Sequence, residues 1–161
     1  GHHRLDRGGE DGEIEAEGSL GYLNAAYTEF DDTRANGCNP TGTKIVCEPA
    51  FAPPITARLA ADYTLPVGVD DTVGFGGDVR LVGQQFLSVD NRRPALWEPG
   101  YTILNAYVRY DAPKWYVMGQ VRNATNAVYK TDAQEFSSVS NIQTAYWGDP
   151  RTFLGTVGFR F

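Results

Sequence analysis

Apolar residues recur at every second position in five separate stretches of this chain. In "ITARLAADYTL", Ile55, Ala57, Leu59, Ala61, Tyr63 and Leu65 fall on one side, with Thr56, Arg58, Ala60, Asp62 and Thr64 on the other. "DTVGFGGDVRLVGQQFL" sets Val73, Phe75, Gly77, Val79, Leu81 and Gly83 against Thr72, Asp78, Arg80 and Gln84. "YTILNAYVRY" opposes Leu104, Ala106, Val108 and Tyr110 to Asn105 and Arg109, and "WYVMGQVRN" opposes Trp115, Val117, Gly119 and Val121 to Gln120 and Arg122. The closing "GDPRTFLGTVGFRF" alternates through Phe153, Gly155, Val157, Phe159 and Phe161, with Leu154 alone out of phase. Period two is the signature of a strand that shows one greasy and one wet face. With "GYLNAAYTEF" as a further strand, the pattern predicts an all-β antiparallel meander of about six to seven long strands. The acidic run "GEIEAEGSL" is the one stretch that reads more like an amphipathic helix than a strand.

Several of these runs pass ten residues, whereas strands in soluble sheets average about five or six. A tilted strand that crosses a bilayer needs about 9–11. The connections alternate in character as well. "LPVGVDD" and "YDAPKW" are short and built from turn residues. By contrast, "FDDTRANGCNPTGTKIVCEPAFAPP", "SVDNRRPALWEPG" and "NAVYKTDAQEFSSVSNIQTAYWGDP" are long and polar. Short turns at one end and long loops at the other are the build of an outer-membrane barrel, whose greasy face meets lipid and whose wet face lines the lumen. In a soluble sandwich the greasy face would instead be the core. Arg58, Asp62, Asp78, Arg80, Arg109 and Arg122 on the wet face argue against a small closed soluble barrel, where burying them would be costly, but suit either a wide lumen or a solvated sandwich face.

Composition narrows the classes. The 161 residues are 42% hydrophobic, 21% charged and 12% aromatic, with 18 glycines. No run approaches the ~18 apolar residues of a membrane helix, so a membrane location requires a closed barrel. A formal charge of −6 without a Lys/Arg cluster excludes nucleic acid as the expected partner. Catalysis has no candidate: the two histidines, His2 and His3, stand in a polar opening segment and read as a disordered terminus rather than as metal ligands. "GFGGD" lies inside a strand and reads as small residues easing curvature, not as a phosphate loop. Asp31 with Asp32, and Asp70 with Asp71, read as solvated turns rather than calcium ligands. No cofactor and no metal are expected. Cys38 and Cys47 flank "NPTGT", a turn-forming stretch, and are expected to form a loop-closing disulfide. That implies an oxidising compartment. Trp97, Tyr146 and Trp147 flank loops near strand ends, where they are expected as interfacial girdle anchors or as ligand-stacking residues.

These features resemble a known family. "GSLGYLNAAYTEFDD", the cysteine loop, "APPITARLAADYTLP" and "GYTILNAYVRYDAPKWYVMGQVRNATNAVY", with its Asn-x-x-(Asn/Asp)-x-x-Tyr pattern, resemble the C-terminal part of TonB-dependent outer-membrane receptors. "YWGDPRTFLGTVGFRF" is similar to the family's final strand, with Asp-Pro-Arg before it. Phe159 and the terminal Phe161 resemble the signal read by the barrel-assembly machinery. The resemblance covers residues 12–161 and leaves 1–11 as a flexible N-terminal segment. It implies a barrel of about 22 strands around an N-terminal plug, located in the bacterial outer membrane and importing a scarce ligand such as an iron-siderophore, cobalamin, heme or a glycan through TonB.

About 22 strands of about 10 residues need roughly 220 residues before any turn, more than this chain has. The first expectation is therefore one segment of a receptor, whose partners are the remainder of the barrel and plug, outer-membrane lipid and the barrel-assembly machinery, with TonB reached only through segments not in this chain. The second is a stand-alone structural protein that pairs exposed strand edges with further copies of itself. A small soluble ligand-binding sandwich is the third.

Overall fold

The computed structural model describes residues 12–28, 48–88, 96–136 and 142–161. Among these residues there are ten strands and no helix. Six form one antiparallel sheet in the order β1 (Glu13–Tyr22), β2 (Ile55–Val67), β3 (Asp71–Val82), β6 (Tyr101–Asp111), β7 (Trp115–Arg122) and β10 (Thr152–Phe159). Every sheet strand pairs with its neighbour in chain order, as in an up-and-down meander. The four remaining strands make two small hairpins outside that sheet. β4 (Gln85–Phe86) pairs with β5 (Trp97–Glu98), and β8 (Lys130–Phe136) pairs with β9 (Ile142–Trp147).

The register carries the period-two pattern across the sheet. Leu59 stands opposite Val79 and Val79 opposite Leu104; Phe75 stands opposite Val108 and Val108 opposite Gly119. All of the alternating apolar residues therefore share one face. That face is open: Leu59 is 58% exposed, Val108 55% and Phe153 76%. Among the described residues no second layer covers it, so it is not the core of a sandwich. The polar face curves around a concavity of about 320 Å³ lined by Arg58, Asp62, Asp78, Asn105, Tyr107, Gln120 and Arg122.

Two expectations about the chain's start are corrected. "GEIEAEGSL" is not helical but is most of β1, and the strand expected over "GYLNAAYTEF" ends at Tyr22. Glutamate favours helices in isolation, but Ile14, Ala16, Gly18, Leu20 and Tyr22 alternate and stand opposite Tyr63, Ala61, Leu59, Ala57 and Ile55. A ten-residue ladder against β2 outweighs that local preference. The run continuing to Leu87 also breaks, at Gly83 and Gln84, so that β4 leaves the sheet.

The fully buried apolar residues lie mainly in the long connections. Leu87 and Leu96 are 2% and 0% exposed and pack with Ala133 and Ala145, joining the β4–β5 hairpin to the β8–β9 hairpin. The first connection joins them: Ala50 bridges Phe86 in parallel, and the Phe51 amide donates to the Phe86 carbonyl at 2.9 Å. Three connections thus converge into one cap with its own core, at the opposite end of the sheet from the short turns at 68–70 and 112–114.

Candidate functional site

The concave polar wall is ordered by a few long-range side-chain bonds. Asp62 on β2, Gly76 on β3 and Tyr107 on β6 stand in one register row. The Tyr107 hydroxyl donates to Asp62 across the intervening strand. It can do so because Gly76 offers no side chain; a Cβ there would run into the Asp62 carboxylate and the Ala61 carbonyl. Nearer the cap, Asn105 uses both ends of its amide. Its Nδ2 donates to Asp78 at 3.2 and 3.3 Å, and its Oδ1 accepts from the Asn123 amide at 3.0 Å. Arg58 lies 3.9 Å from Asp78. One row nearer the cap, Arg58 and Arg80 stand directly opposite each other on the same face.

Asn123 is 3% exposed and adopts a left-handed backbone (φ 49°), which Asn tolerates better than most side chains. Its Nδ2 donates to the Ala127 and Asp149 carbonyls at 2.9 and 3.0 Å, and its Oδ1 accepts from the Ala127 amide at 2.8 Å. Asn126 (φ 54°) accepts from the Arg151 amide at 3.0 Å. The motif "NATNAVY" thereby ties the end of β7 to the "GDPR" that precedes β10.

At the short-turn end, Arg109 grips Asp111 through Nε and an Nη at 2.5 and 2.9 Å, and Arg160 reaches the same carboxylate at 2.6 Å. The Tyr116 ring lies 4.1 Å from the Arg109 guanidinium. That ring occupies the space a Cβ at Gly158 would need, so the tail of β10 is held on the polar face by charge and by ring contact.

Two of the sequence-predicted aromatic residues are brought together. Lys130 donates from Nζ to the Trp97 carbonyl at 3.0 Å and sits 5.7 Å from the centre of the Trp147 ring. Its backbone amide donates at 2.8 Å to Glu98, whose side chain is buried in the cap. Tyr146, next along β9, is 54% exposed, and its carbonyl accepts from Thr131. Phe159 stands opposite Trp115 at the short-turn end on the apolar face, and Phe161 is fully exposed. Asp71 accepts the Tyr110 hydroxyl. Cys38, Cys47, Asp31, Asp32, His2, His3 and the segment 1–11 lie outside the described residues. Among the described residues no three His, Cys, Asp or Glu side chains converge as metal ligands. Sequence reasoning missed the stacked pair Tyr101–Tyr129, with ring centres 4.2 Å apart, and the Glu98–Lys130 link. Only the "NATNAVY" motif hinted at Tyr129.

The family model for the TonB dependent receptor-like β-barrel matches residues 12–124. This chain belongs to the TonB-dependent receptor family. Over 145 residues it is 30% identical to the ferrichrome outer membrane transporter/phage receptor of Escherichia coli (strain K12), covering 89% of this chain and 17% of that protein. Over 120 residues it is 28% identical to the ferrioxamine receptor of Yersinia enterocolitica, covering 70% of this chain and 15% of the relative. Its fold matches 89% of the chain to the crystal structure of the ferric preacinetobactin receptor from Acinetobacter baumannii, at a TM-score of 0.62 and 22% identity, and covers 19% of that receptor. The chain therefore spans less than a fifth of the length of each of these proteins.

Family membership fixes the environment of the TonB-dependent receptor sheet. The protein is a β-barrel component of the bacterial outer membrane; in barrels of that membrane an outward apolar face meets lipid and an inward polar face lines the lumen. In such barrels the short turns are periplasmic and the long loops extracellular; here the three-loop cap is at the long-loop end and the Arg109–Asp111–Arg160 cluster at the short-turn end.

Proposed function

We propose that this chain supplies six consecutive wall strands and three extracellular loops of a receptor that imports a ferric siderophore by TonB-coupled transport. The observation that carries the reading is the conjunction of a polar lumenal wall with a loop cap that has its own core. A passive polar pore needs no such preorganised rim, whereas a receptor that recognises a ligand from outside does. The ferrichrome and ferrioxamine named for the two relatives favour iron chelates over the cobalamin, heme and glycan alternatives. The stand-alone, self-assembling reading is not favoured, because the matched region makes up only 17%, 15% and 19% of the three reported relatives.

In this reading the partners are the remaining barrel strands, a plug in the lumen, TonB on the periplasmic side and lipid against the apolar face. β10, with Phe159 and Phe161, is the strand that the barrel-assembly machinery reads. Tyr110, Trp115 and Phe159 form the periplasmic girdle. Trp97, Tyr146 and Trp147 belong to hairpins beyond the sheet, so they shape the ligand-facing cap rather than the girdle. The cysteine pair closes part of the first loop.

The test is radioiron uptake from ferric siderophores by iron-starved cells, with the complete receptor present or deleted and TonB present or absent. Uptake that needs both supports the reading. Uptake unchanged by deletion of the receptor contradicts it.

A further inference from the structure

The siderophore-receptor reading leaves the charge of the chelate open, and the lumenal wall carries a feature that bears on it. Arg58 on β2 and Arg80 on β3 are direct cross-strand partners on the lumenal face. Partners in that position have Cβ atoms about 4.5–5.5 Å apart, and like charges there destabilise the sheet. Little nearby offsets them. Asp78 stands 3.9 Å from Arg58 and also takes both bonds from the Asn105 amide. Among the described residues no carboxylate lies within ion-pair distance of Arg80. Both guanidinium groups are exposed to the lumen, Arg58 to 48%, rather than packed as struts.

One row closer to the extracellular mouth, Tyr101 stands opposite Val82, and its ring stacks on Tyr129 at a 20° tilt. The wall therefore presents two planar cations, Arg58 with a single long pairing to Asp78 at 3.9 Å and Arg80 with no carboxylate in ion-pair distance among the described residues, just below a stacked aromatic pair. Guanidinium groups match carboxylate and catecholate oxygens in paired hydrogen bonds.

We propose that Arg58 and Arg80 form an oxyanion seat for the imported chelate, which makes the preferred cargo an anionic ferric complex. The inference rests on the siderophore-receptor reading. The occupant is the chelate and not a carboxylate of the plug: the seat lies at the outer end of β2 and β3, next to the loop cap, on the route from the cell exterior.

The experiment uses the complete receptor in outer membranes and two probes, an anionic ferric tricatecholate and a neutral ferric trihydroxamate. Arg58→Gln and Arg80→Gln are each compared with wild type for binding of both probes at low and high salt, with equal surface expression as the control for folding. The expected result is a wild-type preference for the anionic probe that salt weakens. Each glutamine variant loses affinity for it by about tenfold, equivalent to about 1.4 kcal/mol, with binding of the neutral probe unchanged. Arg80→Lys, which keeps the charge, recovers most of the loss. Equal losses for both probes, or no loss for either, overturn the seat. So does unchanged chelate affinity with a plug newly open to protease, which would assign the arginines to a plug carboxylate. A wild type that prefers the neutral probe overturns the seat alone, whereas one that binds no ferric chelate overturns the siderophore reading with it.

Discussion

Tyr107 reaches across a whole strand to donate its hydroxyl to Asp62, and glycine at position 76 leaves the space for it to do so. The two residues are 45 apart in sequence and two strands apart in the sheet. Their bond pins the register of β2, β3 and β6 from the polar face, where the apolar pattern has no influence. Loss of the hydroxyl in Tyr107→Phe is expected to cost about 1–2 kcal/mol. Gly76→Val is expected to cost more, because its side chain would displace both Asp62 and the bridging ring. Urea unfolding of the complete receptor in detergent, followed by tryptophan fluorescence, measures both. Equal and negligible effects would mean that the bridge holds nothing.

Asn123 is a second such pin, and its replacement tests whether the "NATNAVY" motif acts through hydrogen bonding or through backbone conformation. Asn123→Gly keeps the left-handed backbone and loses the side-chain bonds; Asn123→Ala loses both. Each is expected to lower thermal stability, Ala more than Gly, because φ > 0 is costly for residues with a Cβ. Asn126→Ala, at an exposed position, is expected to do less than either. Differential scanning calorimetry gives the order.

At the short-turn end, Asp111 holds both Arg109 and Arg160. Asp111→Asn is expected to release the tail of β10 and leave two like charges close together. Hydrogen exchange at the Arg160 amide, which donates to the Lys114 carbonyl at 2.8 Å, is expected to quicken by about tenfold, matching about 1.4 kcal/mol of local opening. Exchange in β2 and β3 is expected to stay as it was.

The cap is expected to melt separately from the sheet. Leu96 is fully buried but sits in a small satellite core, so Leu96→Ala is expected to cost about 2–4 kcal/mol locally. Limited proteolysis should then cut the β4–β5 and β8–β9 hairpins at lower protease concentrations, while the barrel's own unfolding midpoint stays fixed. A barrel that unfolds together with the cap would contradict this division.

The face alternation of β2, β3, β6, β7 and β10 was legible in the chain because one side of each strand meets a uniform environment, and the pleat converts that environment directly into sequence. β1 was not legible as a strand. Its three glutamates on alternate positions imitate a helix former's composition, and only the ladder with β2 shows that Ile14, Ala16 and Leu20 face the same way. β5, β8 and β9 were read as plain loops and β4 as the end of the β3 run, because the burial of these small hairpins comes from one another. Leu96 and Ala133 are core only when two distant connections meet. Arg58, Asp62, Asp78 and Arg80 were legible as a polar face. That Arg58 opposes Arg80, while Asp62 is taken by Tyr107, depends on register, and the period-two pattern excludes a one-residue slip but not a shift by two.

In the proposed receptor the alternating apolar residues face lipid and the polar residues face the lumen. This orientation is tested most directly by spin labels at six consecutive β6 positions of the complete receptor in bilayers: Leu104→Cys, Asn105→Cys, Ala106→Cys, Tyr107→Cys, Val108→Cys and Arg109→Cys. Relaxation by lipid-soluble oxygen is expected to be high at 104, 106 and 108, and relaxation by a water-soluble nickel complex at 105, 107 and 109. Uniform relaxation along the six positions, or the opposite phase, would contradict it.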